Sequence, residues 1–298
     1  MCNKQINLNL EMKGTKKAIA LGTFDGLHKG HRAVLKNAED CFLTVLTFYL
    51  PPKSVIKNDS NLLMLPDDKE KALKTLGADQ TVFLDFNKIR DTSPEDFSDY
   101  VYKTYNPDLV VCGFDFRFGK NARGDLNFLQ NYCNEKGIEF KWAPPVTEND
   151  IPVSSTDIRN LVLTGNVLDA NRLMFIPFGF SSEVLHGDKR GRTIGFPTIN
   201  QRFPDLLCKP KFGVYKSETE IKGKKYQSIT NVGIRPTFKT KDVFCETFVL
   251  GLDREIYGET VRLNLIEFIR EEKKFNSLKE LKTAINNDML YLRSESDE

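Results

Sequence analysis

The sequence predicts an α/β domain built on a doubly wound parallel sheet, followed by an antiparallel β-barrel domain that ends in a helix. Three observations carry this. The chain has 298 residues, more than one hydrophobic core usually organises, so two domains of about 100–200 residues each are expected. The first half alternates strand-like and helix-like segments, the pattern of parallel strands joined by crossover helices. After about Phe175 the helices stop, and short alternating segments separated by Gly, Pro and Lys-rich turns take over.

In the first half, strands are expected in the apolar runs Ala18–Leu21, Phe42–Phe48, Thr81–Phe86, Leu109–Cys112 and Ile138–Trp142. The helices between them carry punctuation. Asp67 with Glu70 three residues on reads as a capping box, with Gly77 at the stop. Ser93-Pro94 reads as an N-cap followed by proline at the first helical position, and Asp125 and Gly137 bracket a further helix. Ligands of such a sheet sit at the carboxyl ends of its strands. In the second half, strands are expected at Ser182–His186, Val214–Glu218, Gln227–Asn231, Phe244–Leu250 and Val261–Phe268. One amphipathic helix, Ser277–Met289, closes the chain, with Leu278, Leu281, Ile285 and Met289 on one face and Ser277 as its cap. Ile176-Pro177 is the expected joint, giving domains 1–175 and 176–298.

Composition narrows the function. The chain is 40% hydrophobic and 28% charged, as a folded soluble protein is, and contains no apolar stretch of about 20 residues to span a bilayer. Its first residues, MCNKQINLNLEMKGTKKA, lack the apolar block of a secretory signal, so a cytoplasmic protein is expected. Cys2, Cys41, Cys112, Cys133, Cys208 and Cys245 form no CxxC pair and read as reduced, structural residues. With 43 basic against 41 acidic residues, the net charge of +2 gives no long-range pull on nucleic acid or an anionic membrane. Positive charge must act locally.

The sharpest local feature is Leu21-Gly22-Thr23-Phe24-Asp25-Gly26-Leu27-His28-Lys29-Gly30-His31, which runs off the first strand into a helix and holds two of the chain's three histidines. Glycines permit close backbone approach, a following helix points free N–H groups at the turn, and the pair receives phosphate. Histidines beside a phosphoryl centre can donate to oxygens whose charge grows in the transition state. A lone His-x-x-His is an ordinary polar turn; the whole phrase is not. It resembles the nucleotidylyltransferase superfamily, and specifically the FMN adenylyltransferase module of bacterial bifunctional riboflavin kinase/FAD synthetases. Two further stretches agree: Val111-Cys112-Gly113-Phe114-Asp115-Phe116-Arg117-Phe118-Gly119 and Val153-Ser154-Ser155-Thr156-Asp157-Ile158-Arg159. The resemblance implies that Gly22, Phe24, Asp25, Gly30, Ser155, Thr156 and Arg159 bind ATP, that His28 and His31 are catalytic, and that Asp115 contacts flavin or nucleotide. One departure stands out: where relatives carry Phe-x-Pro-His-Pro, this chain has Phe48-Tyr49-Leu50-Pro51-Pro52, without the histidine.

In the second half, Gly187-Asp188-Lys189-Arg190-Gly191-Arg192-Thr193-Ile194-Gly195-Phe196-Pro197-Thr198-Ile199-Asn200 combines glycines and cations able to wrap a polyphosphate, with spacing unlike a Walker A loop. A Thr hydroxyl and an Asn carbonyl beside it suit magnesium carried by ATP. The phrase resembles the riboflavin kinase barrel, and the likeness continues through Lys211–Tyr215, Asn231–Phe238, Ile256–Gly258 and Arg270–Phe275. It implies Gly187, Lys189, Gly191, Arg192, Gly195, Thr198 and Asn200 at ATP, Thr198 and Asn200 at Mg2+, Arg270 and Phe275 at the flavin, and Glu246 as the carboxylate that takes the proton of the attacking hydroxyl. His186 reads as a strand-end residue.

The expected function is therefore riboflavin + ATP to FMN + ADP in the second domain, then FMN + ATP to FAD + pyrophosphate in the first, both with magnesium, and no nucleic-acid or membrane partner. Two rivals stay open: a kinase carrying a weak or inactive adenylyltransferase, because of the absent histidine, and a flavin-sensing regulator on the same folds.

Overall fold

The computed structural model describes residues 16–57, 61–187, 195–234, 242–275 and 277–294. It divides into two compact units: Met1–Gly22 with Ala33–Thr47 and Lys74–Pro144, and Thr23–Arg32 with Phe48–Leu73 and Pro145–Glu298.

The first unit is organised by a five-stranded sheet of β1 (Lys17–Leu21), β2 (Phe42–Phe48), β3 (Gln80–Leu84), β4 (Leu109–Gly113) and β5 (Glu139–Ala143), in the spatial order β3-β2-β1-β4-β5. β1 runs parallel to β2 with Lys17 opposite Phe42, and parallel to β4 with Ala18 opposite Leu109. Both central strands bury consecutive residues, as strands covered on both faces do. Because β1 leads to β2 on one side and β4 to β5 on the other, the chain reverses direction across the sheet at the β1–β4 boundary. The turns after β1 and β4 diverge there.

Helices α1 (Lys29–Lys36), α2 (Pro52–Lys57), α3 (Pro66–Thr75), α4 (Phe86–Ile89), α5 (Pro94–Tyr105) and α6 (Leu126–Lys136) follow in chain order. The Ser93 and Asp125 caps form as predicted, accepting from Asp96 N–H at 3.0 Å and Phe128 N–H at 2.9 Å, and Gly137 ends α6 at φ 69°. The Asp67 cap does not form: Pro66, with φ already fixed, starts α3 one residue earlier and leaves Asp67 in the first turn. β3 stops short of Phe86 because Asp85 caps α4, accepting from Asn87 N–H at 3.1 Å.

In the second unit a short hairpin, β6 (Thr147–Glu148) and β7 (Ile151–Pro152), precedes α7 (Ser155–Thr164) and α8 (Val167–Leu173). Six strands follow: β8 (Gly179–Glu183), β9 (Thr198–Arg202), β10 (Gly213–Ile221), β11 (Lys224–Ile234), β12 (Val243–Val249) and β13 (Thr260–Arg270). They form an antiparallel sheet in the order β8-β13-β10-β11-β12-β9. The sheet curls until its edges meet, Leu185 N–H donating to Asn200 O at 2.7 Å. Inside lie Tyr215, Cys245, Leu263 and a chain of buried hydroxyls in which Ser217, Ser228, Thr230 and Thr247 bond at 2.8–2.9 Å. β9 was not anticipated from sequence, because Pro197 and the polar Asn200 and Gln201 hide its alternation.

The last helix, α9 (Leu278–Ser294), is capped by Ser277, whose Oγ accepts from Glu280 N–H at 3.2 Å. Its buried face is displaced toward the C-terminus relative to the sequence reading: Leu278 is 66% exposed, while Met289 and Leu292 pack on Val214 and Ile229. Residues on both sides of Ile176-Pro177 share one core, in which Ile158, Val162 and Val167 meet Phe178, Phe180 and Leu263. Gly179 opens β8 within it. A Cβ there would be driven into the Leu263 carbonyl oxygen and the Asn264 backbone. Gly179→Ala is therefore expected to destabilise the protein by about 3 kcal/mol or more, read as a fall in thermal midpoint; an unchanged midpoint would contradict the close strand approach.

Candidate active sites

The turn after β1 is strained. Phe24 and Leu27 take φ 48° and 42°, a region costing about 1–3 kcal/mol for a bulky residue. Groups from elsewhere hold it there. The Thr23 carbonyl accepts from Lys69 Nζ at 3.1 Å, the Asp25 carbonyl from Ser155 Oγ at 3.0 Å, and the Leu27 carbonyl from Phe175 N–H at 3.0 Å. Lys69 Nζ also donates to Phe48 O at 2.8 Å. Gly26, at φ 80°, lies against Leu63 with no room for a Cβ.

Asp25 is buried, and its carboxylate accepts from Leu63 N–H at 2.9 Å and Arg159 Nη2 at 2.8 Å. Burial pushes this carboxyl up, opposed by Lys69, Arg159 and the Leu63 N–H. Arg159 is fixed at its other edge by Nε donating to Asn61 O at 2.7 Å. Both Asp25 carboxylate oxygens thus have protein partners, one of them Arg159, and the ring of Phe24 is buried. Lys69, fully buried, is lowered to about 8 by burial, with Asp25 acting the other way. Motif reading missed Lys69; its signal, a lysine inside an otherwise unremarkable helix, does not stand out in sequence.

At the start of α7, Ser154 is the N-cap, accepting from Asp157 N–H at 3.2 Å. Ser155 holds the turn, and Thr156 is exposed in the first helical turn, where free N–H groups and a hydroxyl suit an anion. His28 and His31 stack with ring centroids 3.7 Å apart, and their buried Nδ1 atoms have no partner among the described residues. Phe24 packs on His31 at 5.2 Å. Burial lowers His28 to about 4. It holds His31 well below the usual imidazole range, with His28 and Lys69 adding to the effect. Both rings are neutral near pH 7. In the first unit, Gly22 N–H donates to Leu46 O at 3.3 Å, and the Asp115 carboxylate lies over Gly113.

Of the second sequence motif, Lys189, Gly191 and Arg192 lie outside the described residues. The strand register assembles the rest. Arg270, Val214, Asn231, Glu246 and Asn200 stand opposite one another in a single row across β13, β10, β11, β12 and β9. Directly paired residues share a face, so Glu246 is flanked by two amides, with Thr198 two pairs along, on the same face, opposite Phe248. Gly187 makes room for Asn200, whose amide a Cβ there would strike, and Gly195 takes φ 88°. At the far end of the row, Asp288 of α9 accepts from Arg270 Nε at 3.0 Å and Nη2 at 2.7 Å, and Phe275 lies 5.9 Å from the guanidinium. Asn231, which no local sequence signal marks, donates from Nδ2 to Glu272 Oε1 at 3.0 Å. His186 stacks on Tyr257 at 4.0 Å.

The depressed histidines link stability to pH. The folded state takes up the His28 proton only near pH 4, the unfolded chain near 6.5. The unfolded state therefore binds more protons between those values, and stability is full above about 6.5 and falls as pH drops toward 4, by about 3 kcal/mol for this ring alone. His31 acts in the same direction. Thermal midpoints measured from pH 7 to 5 should fall for the wild type and less steeply for His28→Gln/His31→Gln; parallel slopes would show that these rings are not buried neutral.

A family model of FAD synthetase matches residues 10–157 and one of riboflavin kinase matches residues 174–295. A bifunctional riboflavin kinase/FMN adenylyltransferase of Listeria monocytogenes is 34% identical, covering 93% of this chain and 92% of its own length. The enzyme of the same name from Bacillus subtilis is 34% identical, covering 92% and 90%. A solved structure from Streptococcus pneumoniae, described as a macrolide-efflux protein, superposes with a TM-score of 0.85 at 31% identity over 95% of both chains. Among the described residues no helix is long and apolar enough to cross a membrane. With full-length relatives above 30% identity and each half matched by its own model, the chain belongs to the bifunctional riboflavin kinase/FMN adenylyltransferase family.

Proposed function

We propose that this chain phosphorylates riboflavin to FMN with ATP in residues 176–298, and adenylylates FMN to FAD with a second ATP in residues 1–175, releasing pyrophosphate. The observation that carries this is that the two matched families occupy successive, non-overlapping stretches, each containing its own glycine-rich sequence phrase.

In the kinase half, Glu246 orients the ribityl 5′-hydroxyl and takes its proton as that oxygen attacks the γ-phosphorus, ADP leaving. Asn231 and Asn200 on either side hold the carboxylate and the phosphates in line. Magnesium arrives on ATP and neutralises phosphate charge. The Thr198 hydroxyl and the Asn200 carbonyl are neutral oxygens of the kind it accepts beside phosphate and water, and Gly187 lies directly against the Asn200 amide, which supports Gly187 serving the same ATP. Lys189, Gly191, Arg192 and Gly195 serve ATP. Arg270, aimed by Asp288, and Phe275 serve the flavin.

In the adenylyltransferase half, an FMN phosphate oxygen attacks the α-phosphorus and the bond to pyrophosphate breaks. Gly22, Gly30 and the backbone of Phe24 let the phosphates approach. Neutral His28 and His31 donate to oxygens gaining charge, while Thr156, the N–H groups opening α7 and Arg159 hold the leaving pyrophosphate. Asp115 contacts flavin or nucleotide. Dependence on ATP puts this work in the cytoplasm.

Purified protein given riboflavin, ATP and magnesium should form FMN and then FAD, resolved by chromatography. His31→Ala should stop at FMN, with FAD formation reduced by about 100-fold or more. Glu246→Gln should fail to form FMN yet convert supplied FMN to FAD. Loss of both products in a single folded variant would overturn the two-site reading, and absence of FAD in the wild type would leave a kinase alone.

A further inference from the structure

Residues 61–69 alternate between two tasks. Leu62 joins the barrel half: its N–H donates to Leu206 O at 2.9 Å and its carbonyl accepts from Cys208 N–H at 2.8 Å. The next residue, Leu63, donates its N–H to the Asp25 carboxylate at 2.9 Å. The alternation repeats on α3. Asp68 grips the barrel, accepting from Ser181 Oγ at 2.7 Å and Ser181 N–H at 3.1 Å on β8, and pairing with Arg262 Nη1 of β13 at 3.0 Å. Arg262 also donates to Pro177 O at 3.2 Å. The following residue, Lys69, grips the strained turn through the Thr23 carbonyl and ties it to the end of β2 through the Phe48 carbonyl.

Adjacent residues on a helix point about 100° apart, so one rigid turn of α3 can hold both partners at a fixed separation. Burying these charges is costly: Asp68 is 5% exposed and Lys69 0%. Apolar residues would fill the same space at less cost in stability, but they could not satisfy the Thr23 carbonyl at the start of a turn whose φ angles are unfavourable, nor the Phe48 carbonyl at the end of β2.

We propose that Asp68 and Lys69 are positioning residues for FAD formation, through which the kinase barrel holds the Gly22–His31 turn in its phosphate-receiving shape. This rests on the assignment of that turn to adenylyl transfer. Neither residue touches substrate; each acts through the turn. A consequence follows for Arg262 and Ser181, which belong to the barrel strands yet should matter to the reaction of the other half.

The test compares Lys69→Gln, Asp68→Asn, Arg262→Gln and the Asp68→Asn/Arg262→Gln pair in the full chain, measuring kcat and KM for FAD formation, the rate of riboflavin phosphorylation and the thermal midpoint. Lys69→Gln should lower kcat for FAD formation roughly 10- to 100-fold, the loss expected when reacting groups are misplaced by about 1 Å. KM for FMN should stay within about twofold and the kinase rate should be unchanged. Arg262→Gln should lower the same kcat by several fold, and the double variant should be no worse than its singles, because one contact is being removed twice. Unaltered FAD formation in Arg262→Gln and Asp68→Asn would overturn the proposal, as would both activities falling in parallel with the midpoint. His31→Ala, run alongside, separates the two ideas: if it retains FAD formation, the assignment of the turn fails and takes this proposal with it, whereas its loss beside normal Asp68 and Arg262 variants refutes the positioning role alone.

Discussion

The histidine-bearing turn after β1, on which the proposed adenylyl transfer depends, cannot hold its own shape. Phe24 and Leu27 sit in left-handed backbone conformations that their side chains oppose, and the turn's own glycines relieve only the positions between and beyond them. The deficit is met by hydrogen bonds that arrive from distant parts of the chain, at Thr23, Asp25 and Leu27. Strain of this kind persists only where the surroundings over-determine the conformation. The turn's shape is therefore a tertiary property, set by α3, α7 and the segment at Phe175 together.

The charges around the turn follow the same logic. One buried carboxylate, Asp25, is matched by two cations, Arg159 and Lys69, so the local balance is positive in a chain whose overall excess is only +2. Asp25 cancels part of that charge and directs the remainder. Arg159, anchored at Nε and one Nη, keeps a fixed orientation, and for the proposed phosphate contact that orientation matters more than its charge alone, since a guanidinium works through geometry. The stacked imidazoles contribute no charge near neutrality and act as oriented dipoles.

Much of this was legible in the sequence, and the residues show where legibility ends. The Gly22–His31 phrase, the Ser93 and Asp125 caps and the alternating strands of the second half are local signals that the structure places, except that the strand expected at Ser182–His186 lies three residues earlier, at Gly179–Glu183. What sequence missed required partners far away in the chain. Lys69 is distinguished only by the two carbonyls it meets, β9 only by its pairing with β12, and the displaced face of α9 only by the outer surface of β10 and β11. The Asp67 reading failed for a local reason: a proline one residue earlier was the stronger start. Asp25 was picked out correctly as part of the turn, but its burial, which makes it a partner of Arg159, is invisible in a motif.

The two proposed sites place their side chains in opposite ways. At Glu246 the scaffold is a regular antiparallel ladder, in which register alone sets Asn231 and Asn200 on either side of the carboxylate and Arg270 at the end of the row. Little strain is needed, and the buried hydroxyl chain on the inner face, each oxygen bonded to the next, fixes that register from behind. At His28 and His31 the scaffold is an irregular turn, and precision has to be imported from outside. Attaching such a turn to a rigid barrel through adjacent residues of one helix is an economical physical solution: the regular half supplies stiffness, and the irregular half uses it to hold a conformation that glycine-rich backbone would otherwise leave.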